Sequence, residues 1–248
     1  MTEPVNYDLL APEYDRRYQR NQYDGVRACL HRFVGEAWDA AVAEVGCGTG
    51  HWLADLSDRG FRRLAGVDLS RRMIEQAHVA APKALLARGT ASHLPWADDS
   101  FDRVFCVNAL HHFPDQSAFI FECRRVLRSG GGLLTIGLDP HHGADQWWVY
   151  DFFPAALQAD RRRYPSTATI RDWLGTAGFR ELVTEVAQHW PSEMSFHVAQ
   201  REGRLDRRST SQFMVITDAD YDAGMRRMMT EQPVLRADLR LYATTAWR

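Results

Sequence analysis

At 248 residues the chain is long enough for one large domain with appended segments, and its 45% apolar and 25% charged content is ordinary for a globular protein, which excludes disorder, collagen and coiled coil. Thirty Lys and Arg against thirty-two Asp and Glu leave a net charge of -2, so the protein does not hold nucleic acid or a membrane by bulk charge. No apolar run reaches the roughly 18–20 residues that cross a bilayer, and Met1 to Tyr14 carries Glu3, Asp8 and Glu13 without a signal-like stretch; four cysteines without C-x-x-C spacing exclude a disulfide scaffold and a zinc knuckle, and a cytoplasmic protein is expected.

In chain order, Asp24 to Phe33 suits a helix, and Ala41 to Val45 is a short apolar run ending in glycines, as a buried parallel strand would be. His51 to Arg59 reads as a helix stopped by Gly60, Leu64 to Val67 as a second strand, and Ser70 to Ala80 as a helix before Pro82. Leu85 to Ala87, Asp102 to Val107 and Leu133 to Leu138 supply strands three to five, with a helix from Gln116 to Leu127 before the fifth. A helix from Thr169 to Ala177 closed by Gly178, a sixth strand from Leu182 to Val186 and a seventh from Leu239 to Trp247 complete the pattern. Strands alternating with helices predict an α/β fold with a doubly wound, mostly parallel, seven-stranded Rossmann-like sheet in a single domain spanning 1–248. Within it, 1–35 is expected to form lid helices and 36–139 a cofactor-binding core. Two stretches interrupt the rhythm, 140–165 rich in aromatic residues and 190–237 rich in Arg and Met. Because ligands of open α/β sheets sit outside the carboxyl ends of strands, these insertions are expected to form a substrate cap.

The strongest local signal is Glu44-Val45-Gly46-Cys47-Gly48-Thr49-Gly50, a strand running through glycines into a helix. Such a turn lets a ligand approach the backbone, and the N–H groups at a helix start favour an anionic group. The spacing is G-x-G-x-G, not the G-x-G-x-x-G of dinucleotide enzymes, and no G-K-[ST] follows, which sets NAD and ATP aside. Asp68, at the end of strand two, stands where an acidic residue meets a ribose diol.

These residues resemble class I S-adenosylmethionine-dependent methyltransferases, in particular the small-molecule group. The resemblance covers most of Ala41 to Leu138 and continues through Gly66-Val67-Asp68-Leu69-Ser70, Gly89 to Trp96, Ser100-Phe101-Asp102-Arg103-Val104, Asn108-Ala109-Leu110-His111-His112-Phe113 and Val126 to Gly131, in the family's order. It implies S-adenosyl-L-methionine as cofactor. Glu44 would lie near its methionine amino group, Gly46, Cys47, Gly48 and Gly50 would form the backbone cradle, and Asp68 would bind the ribose. Leu69 would flank the adenine and the Ala91 N–H would address an adenine ring nitrogen. Thr90 stands where the family usually carries Asp, so the adenine amino group would meet a neutral acceptor and a weaker bond. Tyr7 to Asp15 resembles a helix that closes over the cofactor, and Tyr14 and Asn108 complete the expected contacts.

A sulfonium methyl group is already activated, so the protein needs chiefly to align an acceptor and exclude water. After strand four the chain lacks the Asn-Pro-Pro-aromatic run of base amino methylation, the paired glutamates of arginine methylation and the Pro-Cys pair of cytosine C5 chemistry. His111 and His112 occupy that place and are the candidate catalytic residues; histidine suits proton removal from a hydroxyl, which points to O-methylation. Asp139, His141 and His142 follow strand five as a weaker candidate, and with no enforced ligand spacing between the two pairs no metal site is expected. The block Trp147, Trp148, Tyr150, Phe152 and Phe153 fits either a satellite core or the wall of an apolar substrate pocket. Arg161-Arg162-Arg163 and the run Arg201 to Arg208 raise RNA as an alternative acceptor, but Glu202 and Asp206 interrupt the second, and a small-molecule partner is favoured over nucleic acid or membrane. A catalytically silent methyltransferase-like binding protein is the remaining alternative. Oligomeric state is not legible.

Overall fold

In a computed structural model that describes Asp15, Tyr18 and residues 21–248, the chain opens with α1 (Asp24–Val34), which buries Val26, Leu30 and Phe33 on one face. Then come β1 (Ala41–Val45), α2 (His51–Arg59), β2 (Arg63–Asp68), α3 (Arg71–Ala80), β3 (Leu85–Arg88) and β4 (Phe101–Val107). A 3-10 turn at Leu110–His112 leads to α4 (Gln116–Val126) and β5 (Leu127–Gly137). The rest is β6 (Gln146–Trp147), α5 (Trp148–Phe152), α6 (Pro154–Arg163), α7 (Thr167–Thr176), β7 (Arg180–Ser195), α8 (Phe196–Arg201), α9 (Ser211–Met214), α10 (Asp218–Glu231) and β8 (Val234–Trp247).

The strands order as β3-β2-β1-β4-β5-β8-β6, with β7 also on β8. β1 to β5 pair in parallel and β8 runs antiparallel to β5. β1 is buried at every position, Glu44 included, as a strand covered on both faces is. The seven strands expected become eight, because the two-residue β6 pairs with β8 at Gln146↔Asp238 and Trp147↔Ala237.

Three strands are longer than their apolar runs suggested. β5 begins at Leu127, not Leu133: its pairing with β4 shifts register between Phe101 and Arg103, and the bulge takes in the glycines 130–132, with Gly130 at φ +74°. β7 runs on to Ser195 through polar, mostly exposed residues and Pro191, a composition typical of an edge strand. β8 starts at Val234 in a stretch carrying Arg236 and Asp238. The insertion expected over 190–237 is therefore strand at both ends and helical between.

The single domain expected divides into two compact units. The larger comprises Asn6–Gly137, Thr167–Gln188 and Leu241–Arg248, and the smaller contains Leu138–Ser166 and His189–Arg240. The boundaries fall inside β7 and β8. The larger unit's core joins Val104, Cys106 and Leu133 of the sheet to Phe119, Ile120 and Cys123 of α4 and to Leu174 of α7. The smaller unit has its own core of Trp148, Val149, Phe153, Phe196, Phe213, Met228 and Leu235. Burying this second apolar set makes both insertions one folded body.

Candidate active site

The carboxyl end of β1 places Glu44 deep in the larger unit, between Gly66 of β2 and Phe105 of β4, with 1% of its surface exposed. Its Oε2 has no hydrogen-bond partner among the described residues. Burial, with the charge of Asp68 adding to it, pushes the Glu44 carboxyl well above the usual carboxylate range. Immediately beyond, the N–H groups of Gly46 and Cys47 both donate to the Val67 carbonyl, at 2.8 and 3.1 Å, which ties the turn to the end of β2. Gly46 holds φ +75°, and a Cβ there would lie 2.4 Å from the Ala109 Cβ, so only glycine lets the loop after β4 come this close. Cys47 is buried, and its thiol is pushed well above the usual range by burial first and by Glu44 and Asp68 next, which excludes it as a nucleophile.

Asp68 clamps the turn. Its Oδ2 accepts from the Gly48 N–H at 2.9 Å and its Oδ1 from the Ser70 N–H at 2.9 Å. Ser70 in turn caps α3, its Oγ accepting from the Met73 N–H at 3.1 Å. The Asp68 carbonyl accepts from the Gly89 N–H at 3.0 Å, which brings the turn carrying Thr90 and Ala91 to the same edge of the sheet. Leu69 is 60% exposed, Thr90 is exposed with its hydroxyl 3.5 Å from that of Ser92, and Ala91 is buried.

After β4, Asn108 adopts φ +52°, tolerable for Asn, and donates its N–H to the Ile136 carbonyl at 2.8 Å. The 3-10 turn follows, with the His112 N–H donating to the Ala109 carbonyl at 2.9 Å. The rings of His111 and His112 lie 3.8 Å apart between centroids; His111 is buried at 8% exposure and His112 is partly exposed. Structure thus separates two residues that sequence treated alike. Tyr14 lies outside the described residues. Asp15, however, accepts from the Thr49 hydroxyl at 2.5 Å, and Tyr18 stacks on His51 at 3.7 Å, so both meet the junction of glycine turn and α2. These two contacts were not read from the sequence, although Asp15 closes the motif Tyr7 to Asp15.

The larger unit therefore brings Glu44, Gly46, Cys47, Gly48, Gly50, Asp68, Leu69, Thr90, Ala91 and Asn108 onto the loops at one edge of its sheet, with His111 and His112 on the next turn. In the smaller unit, Asp139 accepts from the His141 N–H at 3.0 Å while the His141 ring bonds the Tyr164 carbonyl at 3.0 Å, a local turn. Among the described residues no group of three His, Cys, Asp or Glu is placed to hold a metal. The aromatic block forms a satellite core, with Trp148, Phe152 and Phe153 packed in or on it, and Trp147 and Tyr150 also line a cavity. The arginine runs are largely engaged, Arg163 with Asp160 at 2.7 Å, Arg204 with Glu202 at 2.7 Å and Arg207 with Asp218 at 3.0 Å. No helix of the described residues is long and apolar enough to cross a membrane.

A glycine turn and an acidic residue at the ends of adjacent parallel strands are the arrangement by which doubly wound sheets meet nucleosides. Residues 43–135 match the family model described as a methyltransferase domain. Among relatives, the uncharacterized methyltransferase YcgJ of Bacillus subtilis is 31% identical over 157 residues, 60% of this chain and 59% of that protein. The 27-O-demethylrifamycin SV methyltransferase of Amycolatopsis mediterranei is 33% identical over 132 residues, 49% of this chain and 43% of that one. The chain thus spans about half the length of these curated relatives. The crystal structure of the Bacillus subtilis YcgJ protein superposes with a TM-score of 0.64 at 20% identity, covering 92% of this chain and 99% of that one. Residues 43–135 thus carry a methyltransferase domain, S-adenosylmethionine is the cofactor that goes with that domain, and the chain shares the fold of such enzymes.

Proposed function

We propose that the protein transfers the methyl group of S-adenosylmethionine to a hydroxyl oxygen of a small, partly apolar acceptor. The observation that carries this reading is the buried, partnerless carboxylate oxygen of Glu44 beside a glycine turn clamped by Asp68. That set fits the cofactor: an ammonium group would give Glu44 the counter-charge it lacks. Glu44 would hold the amino end and Asp68 the ribose diol. Leu69 would flank the adenine, with Thr90 and Ala91 at its edge, and Asn108 and Tyr14 would complete the contacts. When bound, the cofactor supplies a methyl group activated by its sulfonium centre.

The chain's own contribution is alignment and proton removal. A hydroxyl is a poor nucleophile until its proton leaves, and a ring nitrogen of His112 takes that proton as the oxygen–carbon bond forms and the sulfur–carbon bond breaks. His112 is assigned the base because it is the more exposed of the pair, and the ring of His111 packs against it as its support. The acceptor named for the Amycolatopsis relative is a small molecule, which favours that class over RNA. A screen for labelled methyl transfer from S-adenosylmethionine to phenols, carboxylates, amines and RNA tests the reading. Transfer to phenols that His112→Ala abolishes supports it, and transfer to RNA alone would overturn it.

A further inference from the structure

The smaller unit encloses a cavity of about 500 Å³, a size that accepts a small organic molecule. One wall is a rigid aromatic corner. Trp147 and Tyr150 meet edge to face at 5.2 Å and 75°. The Tyr150 hydroxyl donates to Oδ2 of the fully buried Asp160 at 2.7 Å, the Gln212 amide donates to the same oxygen at 2.9 Å, and Arg163 holds the other oxygen at 2.7 Å. A wall residue tied to a buried polar hub keeps one rotamer, so the corner is preorganised.

The charges around that corner are unequal. Three carboxylates, Asp139, Asp145 and Asp151, line the cavity against one guanidinium, that of Arg161, which spends its Nε on the Pro140 carbonyl. Arg240 reaches Asp145 at 3.3 Å and donates its backbone N–H to it at 3.1 Å, and counting that cation still leaves negative charge in excess. Asp145 has 6% of its side chain exposed, and burial keeps its carboxyl above the usual range despite Arg240. Asp151, exposed at the cavity's rim, lines it without a partner among the ion pairs of the described residues, which leaves its charge to solvent or a ligand. Aromatic faces and an excess of carboxylate together favour a cation, through ring quadrupoles and direct charge pairing.

We infer that this cavity binds a small organic cation, an amine carried on an aromatic or apolar framework, with Trp147 and Tyr150 against the framework and Asp151 on the ammonium. Such a site stands on the smaller unit's own residues, whatever the acceptor of methyl transfer. Binding and transfer are separable. Titration calorimetry on the full chain should compare tyramine with its neutral counterpart 4-ethylphenol and its anionic counterpart 3-(4-hydroxyphenyl)propionate. Tyramine should bind at least about ten-fold more tightly than 4-ethylphenol, the ratio that about 1.4 kcal/mol of charge recognition gives, with the propionate weakest. Asp151→Asn, at an exposed position, should remove the preference while leaving 4-ethylphenol binding in place, and Trp147→Ala should weaken both. Propionate binding most tightly would make Arg161 the anchor and overturn the inference. Equal binding of the three, no binding at millimolar concentration, or a preference untouched by Asp151→Asn would overturn it too. Tyramine binding as described, with its preference lost in Asp151→Asn, supports the cation site whether or not label transfer follows.

Discussion

Glu44→Gln separates a carboxylate kept for a ligand from one kept for the fold. Burial, assisted by Asp68, raises the native carboxyl above its ordinary value, so the folded chain binds a proton that the unfolded chain has lost. The stability this proton confers is complete below the unfolded carboxylate value and disappears as pH rises toward the native one. Each pH unit within that window costs the parent about 1.4 kcal/mol, or roughly 3–6 °C of melting temperature for a body of this size. The amide introduced by Glu44→Gln is neutral throughout and escapes the loss. Urea denaturation of parent and variant without cofactor, from pH 5 to 8, should therefore show the stability of Glu44→Gln relative to the parent rising with pH. Saturating cofactor should reverse the ranking at neutral pH, because the ammonium partners the carboxylate and not the amide, a difference of about 1.5–3 kcal/mol in binding. A stability difference independent of pH, or equal cofactor affinity of the two proteins, would refute both the electrostatic account of Glu44 and its place at the amino end.

Gly46→Ala puts a methyl group 2.4 Å from the Ala109 Cβ at a φ of +75°; it should cost about 1–3 kcal/mol from overpacking alone and abolish cofactor binding by calorimetry. Asp68→Ala should weaken cofactor by about 1.5–3 kcal/mol, and because it also releases the Gly48 and Ser70 N–H groups it should melt earlier; unchanged affinity would remove the ribose role. His112→Ala should lower turnover about 10²–10⁴-fold at constant cofactor affinity, whereas His111→Ala should chiefly lower stability; turnover within three-fold of the parent for His112→Ala would point to alignment alone. Asp160→Asn leaves Arg163 charged beside a neutral partner with 14% of its side chain exposed, and should destabilise the smaller unit by about 3–5 kcal/mol, read by limited proteolysis.

The elements legible in the sequence were those whose burial leaves an apolar mark. β1, β2, β4 and the glycine turn are fully or nearly fully buried, and their residues read directly as a parallel sheet with a nucleotide-type edge. Beyond Val186, β7 is mostly polar and exposed, and the first half of β8 mixes Arg236, Asp238 and Arg240 with its buried leucines, so little in their composition distinguishes a strand from a loop. Asp68 was read for a ligand, and its local role as acceptor for Gly48 and Ser70 depends on how the turn folds back, which spacing does not disclose. Tyr150 and Asp160 show the same limit: the aromatic block was visible, but its bond to a carboxylate one helix on, joined there by Gln212 from far along the chain, is tertiary.

The chain passes from one unit to the other after Gly137, Ser166, Gln188 and Arg240, and this has a consequence for biosynthesis. Neither body is a continuous stretch that can leave the ribosome and finish folding while the other is still being made. Gly132 must wait for Trp247, and Trp147 for Ala237, so the closure of both falls to one late strand. Contacts of such sequence separation are slow to form and leave β5 with an open edge in the meantime. A nascent chain stalled just before Val234 would present unpaired strand edges in both bodies at once, making the time before β8 emerges the interval in which a chaperone matters most.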